Sequence, residues 1–130
     1  MKKALTSFID ARDIGEFTAK IQTVPQKYLN QAYSITVPKA MEYDEVSTLL
    51  SDLLGRKIYY ANPSPRFVKK YWIEIRKLDK EYAAVMGMLY RNTRLDNAKK
   101  VTRTFEKVMN KKLRAFQEFA MGNREAWLNE

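Results

Sequence analysis

"SFIDARDIGEFTAKI", Ser7 to Ile21, is the stretch whose reading decides the fold. Ser7-Phe8-Ile9 is mostly apolar and reads as a short strand. Asp10 stands where a helix needs its N-cap, with Asp13 three residues on in the manner of a capping box. Ile14, Phe17 and Ile21 mark one apolar stripe, and Pro25 ends the helix. Capping together with an ion pair to Arg12 explains the two carboxylates better than acid–base chemistry does. A strand feeding directly into an amphipathic helix is the repeating step of layered α/β folds.

Working outward, Tyr33-Ser34-Ile35-Thr36-Val37 alternates with period two and stops at Pro38, so it reads as a strand. Val46, Leu49, Leu50, Leu53 and Leu54 recur at helical spacing, with Glu42, Asp44 and Glu45 at the positive end and Gly55 at the carboxyl-terminal cap. Lys57 to Ala61 reads as a further strand. Its neighbours Tyr59 and Tyr60 point to opposite faces, so at most one of them meets a cleft.

Beyond this point the chain turns helical. Ser64 suits an N-cap and Pro65 the first helical position. Phe67, Val68, Tyr71, Trp72, Ile75 and Leu78 share one side of a helical wheel and read as core. Tyr82, Val85, Met86, Leu89 and Tyr90 form a second stripe of the same kind. Asn92 to Lys100 has no pattern and reads as a loop. The spacing predicts strands near 7–9, 33–37 and 57–61, and helices near 11–22, 43–54, 65–78, 80–91, 104–109 and 115–126. The expected fold is helix-rich α+β, one domain over 1–130, with a mixed part at 1–62 and a helical part at 63–130.

Composition narrows the chemistry. The 130 residues contain no Cys and no His, which removes thiol catalysis, disulfides and the commonest neutral-pH base. No apolar run approaches the ~20 residues of a membrane helix. The start Met1-Lys2-Lys3-Ala4-Leu5 leads into charged sequence instead of a signal-peptide core, so a cytoplasmic location and no membrane partner are expected. The four glycines, at 15, 55, 87 and 122, are too scattered for a G-x-G-x-x-G turn or a Walker loop. No Tyr has Lys four residues on. No catalytic, cofactor-binding or metal residue is therefore assigned.

Charge is the remaining feature. Residues 66–114 carry 15 Lys and Arg against 5 Asp and Glu, within a chain of net charge +9. Arg66, Lys69, Lys70, Arg76, Lys77 and Lys80 fall opposite the apolar stripe of a helix continued past Pro65. They form a candidate basic surface for an acidic protein or nucleic acid, with a solvated helical face as the plainer reading.

The order of these elements resembles the NmrA-like proteins, atypical short-chain dehydrogenase/reductases that include NAD(P)H:quinone and triphenylmethane reductase-like enzymes. The resemblance rests on "SFIDARDIGEFTAKI", on "AYSITVPKAMEYDEVSTLLSDLLGRKIYYANPSP" (Ala32 to Pro65) and on "EKVMNKKLRAFQEFAMGNREAW" (Glu106 to Trp127). It covers only the family's carboxyl-terminal, substrate-side half. Val37 and Asn110 stand where that pattern usually has glycine, and Ala115 where it has a capping Ser or Thr. The resemblance implies a lobe with a few short strands and about six helices, without the glycine-rich half that would hold NAD(P)H.

Three functional expectations follow: an NmrA-like lobe inactive alone, whether truncated, split or remnant; a non-enzymatic module binding through residues 66–114; and a lobe completed by a separate cofactor-binding chain. No cofactor is expected in the isolated chain. A homo-oligomer, most simply a dimer formed where Phe8 and Ile9 lack neighbours, is expected to cover the face of the missing half.

Overall fold

The computed structural model describes residues 4–128. The Met1-Lys2-Lys3 start of the signal-peptide argument therefore lies outside the described residues. The elements run β1 (Leu5–Thr6), α1 (Ala11–Thr23), α2 (Pro25–Tyr28), β2 (Met41–Glu42), α3 (Tyr43–Leu54), α4 (Pro65–Lys70), a π turn (Tyr71–Ile75), α5 (Lys80–Arg94), α6 (Thr104–Met109), α7 (Phe116–Gly122) and α8 (Arg124–Leu128). Helix dominates, and the only sheet among the described residues is a two-stranded antiparallel pairing of Leu5 with Glu42 and Thr6 with Met41.

Local signals set the helix ends. Asp10 caps α1 by accepting from the Arg12 backbone N–H at 2.8 Å. Glu42 and Glu45 form a reciprocal capping box on α3, and Gly55 closes that helix in the left-handed region at φ 64°. Ser64 caps α4, with Pro65 following it. Asn110 ends α6 at φ 52°, a conformation Asn tolerates better than most residues.

The strands expected at 7–9, 33–37 and 57–61 do not form. An extended segment becomes a strand only where a neighbour supplies a ladder, and side chains or a single loop carbonyl bond these backbones instead. The Ser7 N–H donates to the Ala98 carbonyl at 2.8 Å, so the loop after α5 runs beside it. Thr102 donates its N–H to Thr36 Oγ1 at 2.6 Å and its hydroxyl to the Ser34 carbonyl at 2.8 Å. The Ile58 N–H donates to Ser51 Oγ on α3 at 2.9 Å.

Helix boundaries also move. The helix expected over 65–78 stops at Ile75, because the chain widens into a π turn. There the Arg76 N–H bonds the Tyr71 carbonyl five residues back, and Lys77 turns left-handed at φ 54°. α5 continues three residues past the expected Arg91. The last expected helix breaks at Asn123, whose side chain donates to the Phe119 carbonyl at 2.8 Å.

Apart from Ala83 on α5, the buried apolar residues fall in two small clusters. Phe17 of α1 stacks on Phe105 of α6 with centroids 6.1 Å apart, both rings buried, and Tyr33 meets Phe17 edge-on. Leu54 and Ala120 are buried where α3 meets α7 and α8. Phe8 is not the exposed edge residue expected. It packs edge-on between Tyr43 and Phe116 at 5.8 and 5.6 Å.

Asp13 does not complete a capping box. It is fully buried, and it accepts from the Arg114 backbone N–H at 2.8 Å and from the Arg114 guanidinium. Glu16 takes the other side of the same guanidinium at 2.5 Å and pairs with Lys111. α1 is thus clamped to the segment between α6 and α7. An ion removed from water is tolerable only when its oxygens are paired in this way.

Candidate functional site

α4, its π turn and α5 pack on one another as a helical hairpin. Between this hairpin and the start of α3 lies a cleft of about 690 Å³. Trp72 and Tyr90 supply one aromatic wall, ring centroids 5.5 Å apart, and Tyr43 stacked on Tyr60 at 4.9 Å supplies the other. Ala83, Ala84 and Gly87 line the intervening stretch of α5, where small side chains leave the space open. Pro63, Pro65, Val68 and Leu95 add apolar surface.

The elements explain the placement. Ala83, Gly87, Tyr90 and Arg94 recur at i, i+4, i+7 and i+11 and so share one face of α5. Trp72 lies within the π turn, a helix defect often found at functional sites. The cleft's end is tied by Arg94, whose Nη1 donates to the Pro63 carbonyl at 3.0 Å. Burial raises the Tyr60 hydroxyl above its ordinary pKa, so it is a neutral donor at physiological pH. Arg94 offsets part of that shift.

Trp72 belongs to the cleft wall, which corrects its reading as core, and of the pair Tyr59 and Tyr60 it is Tyr60 alone that lines the cleft, in keeping with their opposite faces. Tyr59 is exposed, with Lys57 Nζ 5.1 Å from its ring centre. The expected apolar stripes are only partly covered: Phe67, Ile75, Tyr82, Val85 and Leu89 all lie more than half exposed.

The six candidate basic residues are exposed, but they do not form one helical face. Arg66, Lys69 and Lys70 lie on α4, Arg76 and Lys77 in the turn after Ile75, and Lys80 opens α5. The extra residue in the π turn rotates the register, and the helix ends before the last three. Lys70 faces Glu74 at 3.7 Å, and Lys69 lines the cleft. Arg91 and Arg94 join Lys69 there. They were missed because a helical wheel read for apolar residues passes over cations one turn beyond a glycine.

The described residues do not fit a dinucleotide pyrophosphate. The one glycine at positive φ among them, Gly55, closes a helix carboxyl terminus, where the dipole is negative, and Gly15, Gly87 and Gly122 lie within helices. Among the described residues no carboxylate cluster suited to a metal ion is present.

No protein-family profile matches the chain. It is 32% identical over 121 residues to the NAD(P)H azoreductase of Xenophilus azovorans, covering 93% of this chain and 42% of that protein. Its fold superimposes on the triphenylmethane reductase of Citrobacter sp. with TM-score 0.80 at 15% identity, over 98% of this chain and 42% of that one. An NADPH-dependent quinone oxidoreductase of Escherichia coli gives TM-score 0.75 at 11% identity, over 96% and 44%. The chain spans about two fifths of the length of these proteins. A helix-rich lobe with the fold of one part of these proteins, an aromatic cleft and, among the described residues, no pyrophosphate cradle is the class this architecture defines. The fold of the chain is that of one lobe of NmrA-like proteins.

Proposed function

We propose that this chain is the substrate-side lobe of an NAD(P)-dependent reductase, holding a planar aromatic acceptor while hydride comes from a cofactor bound on a second lobe. The supporting observation is the cleft, in which Trp72, Tyr90, Tyr43 and Tyr60 bracket about 690 Å³, a volume suited to a two- or three-ring ligand. Similar proteins named for azo, triphenylmethane and quinone reduction are named for ligands built from conjugated rings. On this reading the isolated chain is catalytically silent, the second lobe is another stretch of protein or another chain, and the lobe works in the cytoplasm. No described helix is long and apolar enough to cross a membrane.

The surface supports a missing neighbour. The chain exposes 9903 Å² where a monomer of 15.3 kDa exposes about 7,100 Å² by mass scaling, an excess of about 2,800 Å². The scattered basic residues support a nucleic-acid module less well, because no single groove-sized face gathers them.

Titration of the chain with a neutral naphthoquinone tests the reading. Saturable binding that Trp72→Ala abolishes, with no consumption of NADPH by chain and quinone together, is the expected outcome. Turnover of NADPH by the chain alone overturns the one-lobe reading, and absence of quinone binding overturns the cleft.

A further inference from the structure

The cleft has an apolar interior and a cationic mouth. Lys69 projects from α4, and Arg91 and Arg94 from α5, into the lining, and all three are solvent-exposed residues. No carboxylate belongs to the lining among the described residues. Asp44 acts electrostatically on Tyr60 from outside it. Arg94 spends one nitrogen on the Pro63 carbonyl, whereas no described carboxylate forms an ion pair with Lys69 or Arg91. Three cations around an aromatic slot make a field of one sign, and such a field discriminates between ligands of equal shape and unequal charge.

We propose that the cleft selects planar aromatic ligands bearing one anionic substituent, a sulfonate or carboxylate, which Arg91 and Lys69 hold at the mouth while the rings lie between Trp72/Tyr90 and Tyr43/Tyr60. The inference rests on the reading of this cleft as the substrate cleft. Arg91 presents a planar fork that matches two oxygens of such a group, and Lys69 adds a point charge from the facing helix. A cationic dye of the same ring system meets repulsion at the mouth, and the aromatic faces alone attract it, because no carboxylate among the described residues lines the cleft to offset that repulsion. A nucleotide also joins an aromatic ring to an anion. Its phosphates would meet the same cations, so NADP(H) serves as the competing probe in the test.

Calorimetry on the full chain with naphthalene-2-sulfonate, the neutral naphthalene-2-sulfonamide and a naphthylmethyl trimethylammonium tests the proposal. The sulfonate is expected to bind about tenfold or more tightly than the sulfonamide, and the cation about tenfold more weakly, with both differences shrinking as salt is raised. Arg91→Gln with Lys69→Gln should bring the sulfonate to within about twofold of the sulfonamide measured on the same variant. Both residues are exposed, so circular dichroism of the double variant should match the parent. Equal binding of sulfonate and sulfonamide, or a preference that survives in the double variant, overturns the charge selection and leaves the aromatic cleft intact. Failure of the sulfonamide itself to bind removes the cleft and this inference with it. NADP(H) binding as tightly as the sulfonate and displacing it would assign the mouth to a nucleotide phosphate and overturn the proposal.

Discussion

Glu16 and its partners illustrate how single side chains hold this fold. Lys111 first, and then Arg114, stabilise the Glu16 carboxylate by hydrogen bonds and hold its pKa below the ordinary 4.5. Arg12 does the same for Asp10, bonding both of its oxygens. A carboxylate whose pKa is depressed by folding contributes stability above its unfolded pKa and loses it as pH falls through the folded value. The clamp should therefore be intact at neutral pH and weaken as pH drops below about 4.5. Glu16→Gln is expected to lower the urea midpoint at pH 7 and to converge on the parent as the pH is taken down through the acid range. A gap that stays constant from neutral to strongly acid pH would show that the ion pair contributes nothing. Neither this clamp nor the buried Asp13 was legible in the sequence, because Arg114 lies 101 residues from Asp13 and no local spacing links them.

At the scale of elements, what was legible is what the chain encodes within four residues. Asp10, Gly55, Ser64-Pro65 and Asn110 each mark a helix end by their own conformational preference, and each stands where expected. The strands were misread because pairing depends on a distant neighbour: Ile35 and Tyr59 have strand propensity, but the described residues give them no ladder. The π turn also carries no local signature, and its absence from the helical wheel joined six cations that the fold separates. The cleft was legible only as a set of aromatics on two stripes. Its location required knowing that Tyr60 returns to Tyr43. The caps also expose one weak element, since Ala115 precedes α7 in extended geometry without a side-chain bond. Ala115→Ser should supply that bond and add about 1 kcal/mol. This corresponds to a rise of about 4 °C in Tm. An unchanged or lower Tm in scanning calorimetry would count against the cap.

For the whole molecule, the exposed side of the hairpin is the dominant feature. Tyr82, Val85 and Leu89 fall on the face of α5 opposite the cleft, and Phe67 on α4 is 61% exposed. A standard interface buries about 800 Å² per partner, well within the surface excess of this chain. We expect the isolated chain to associate with a second copy through this face, not through Phe8, until a second lobe covers it. Light scattering should give about twice 15.3 kDa, and Phe67→Asp with Leu89→Asp should return the monomer mass with helicity unchanged. A sharp monomer for the unsubstituted chain at high concentration would refute this.

The long clamp between α1 and Arg114 has a consequence in time as well. α1 is synthesised before the partner of its buried carboxylate, which is 101 residues further along the chain. At about 5–20 residues per second, some 5–20 s pass between the synthesis of Asp13 and that of Arg114. During that interval the first helix can form but has no reason to dock, because burying Asp13 would leave a charge without a counterion. Of the described helices, α1 is therefore made first and seated among the last.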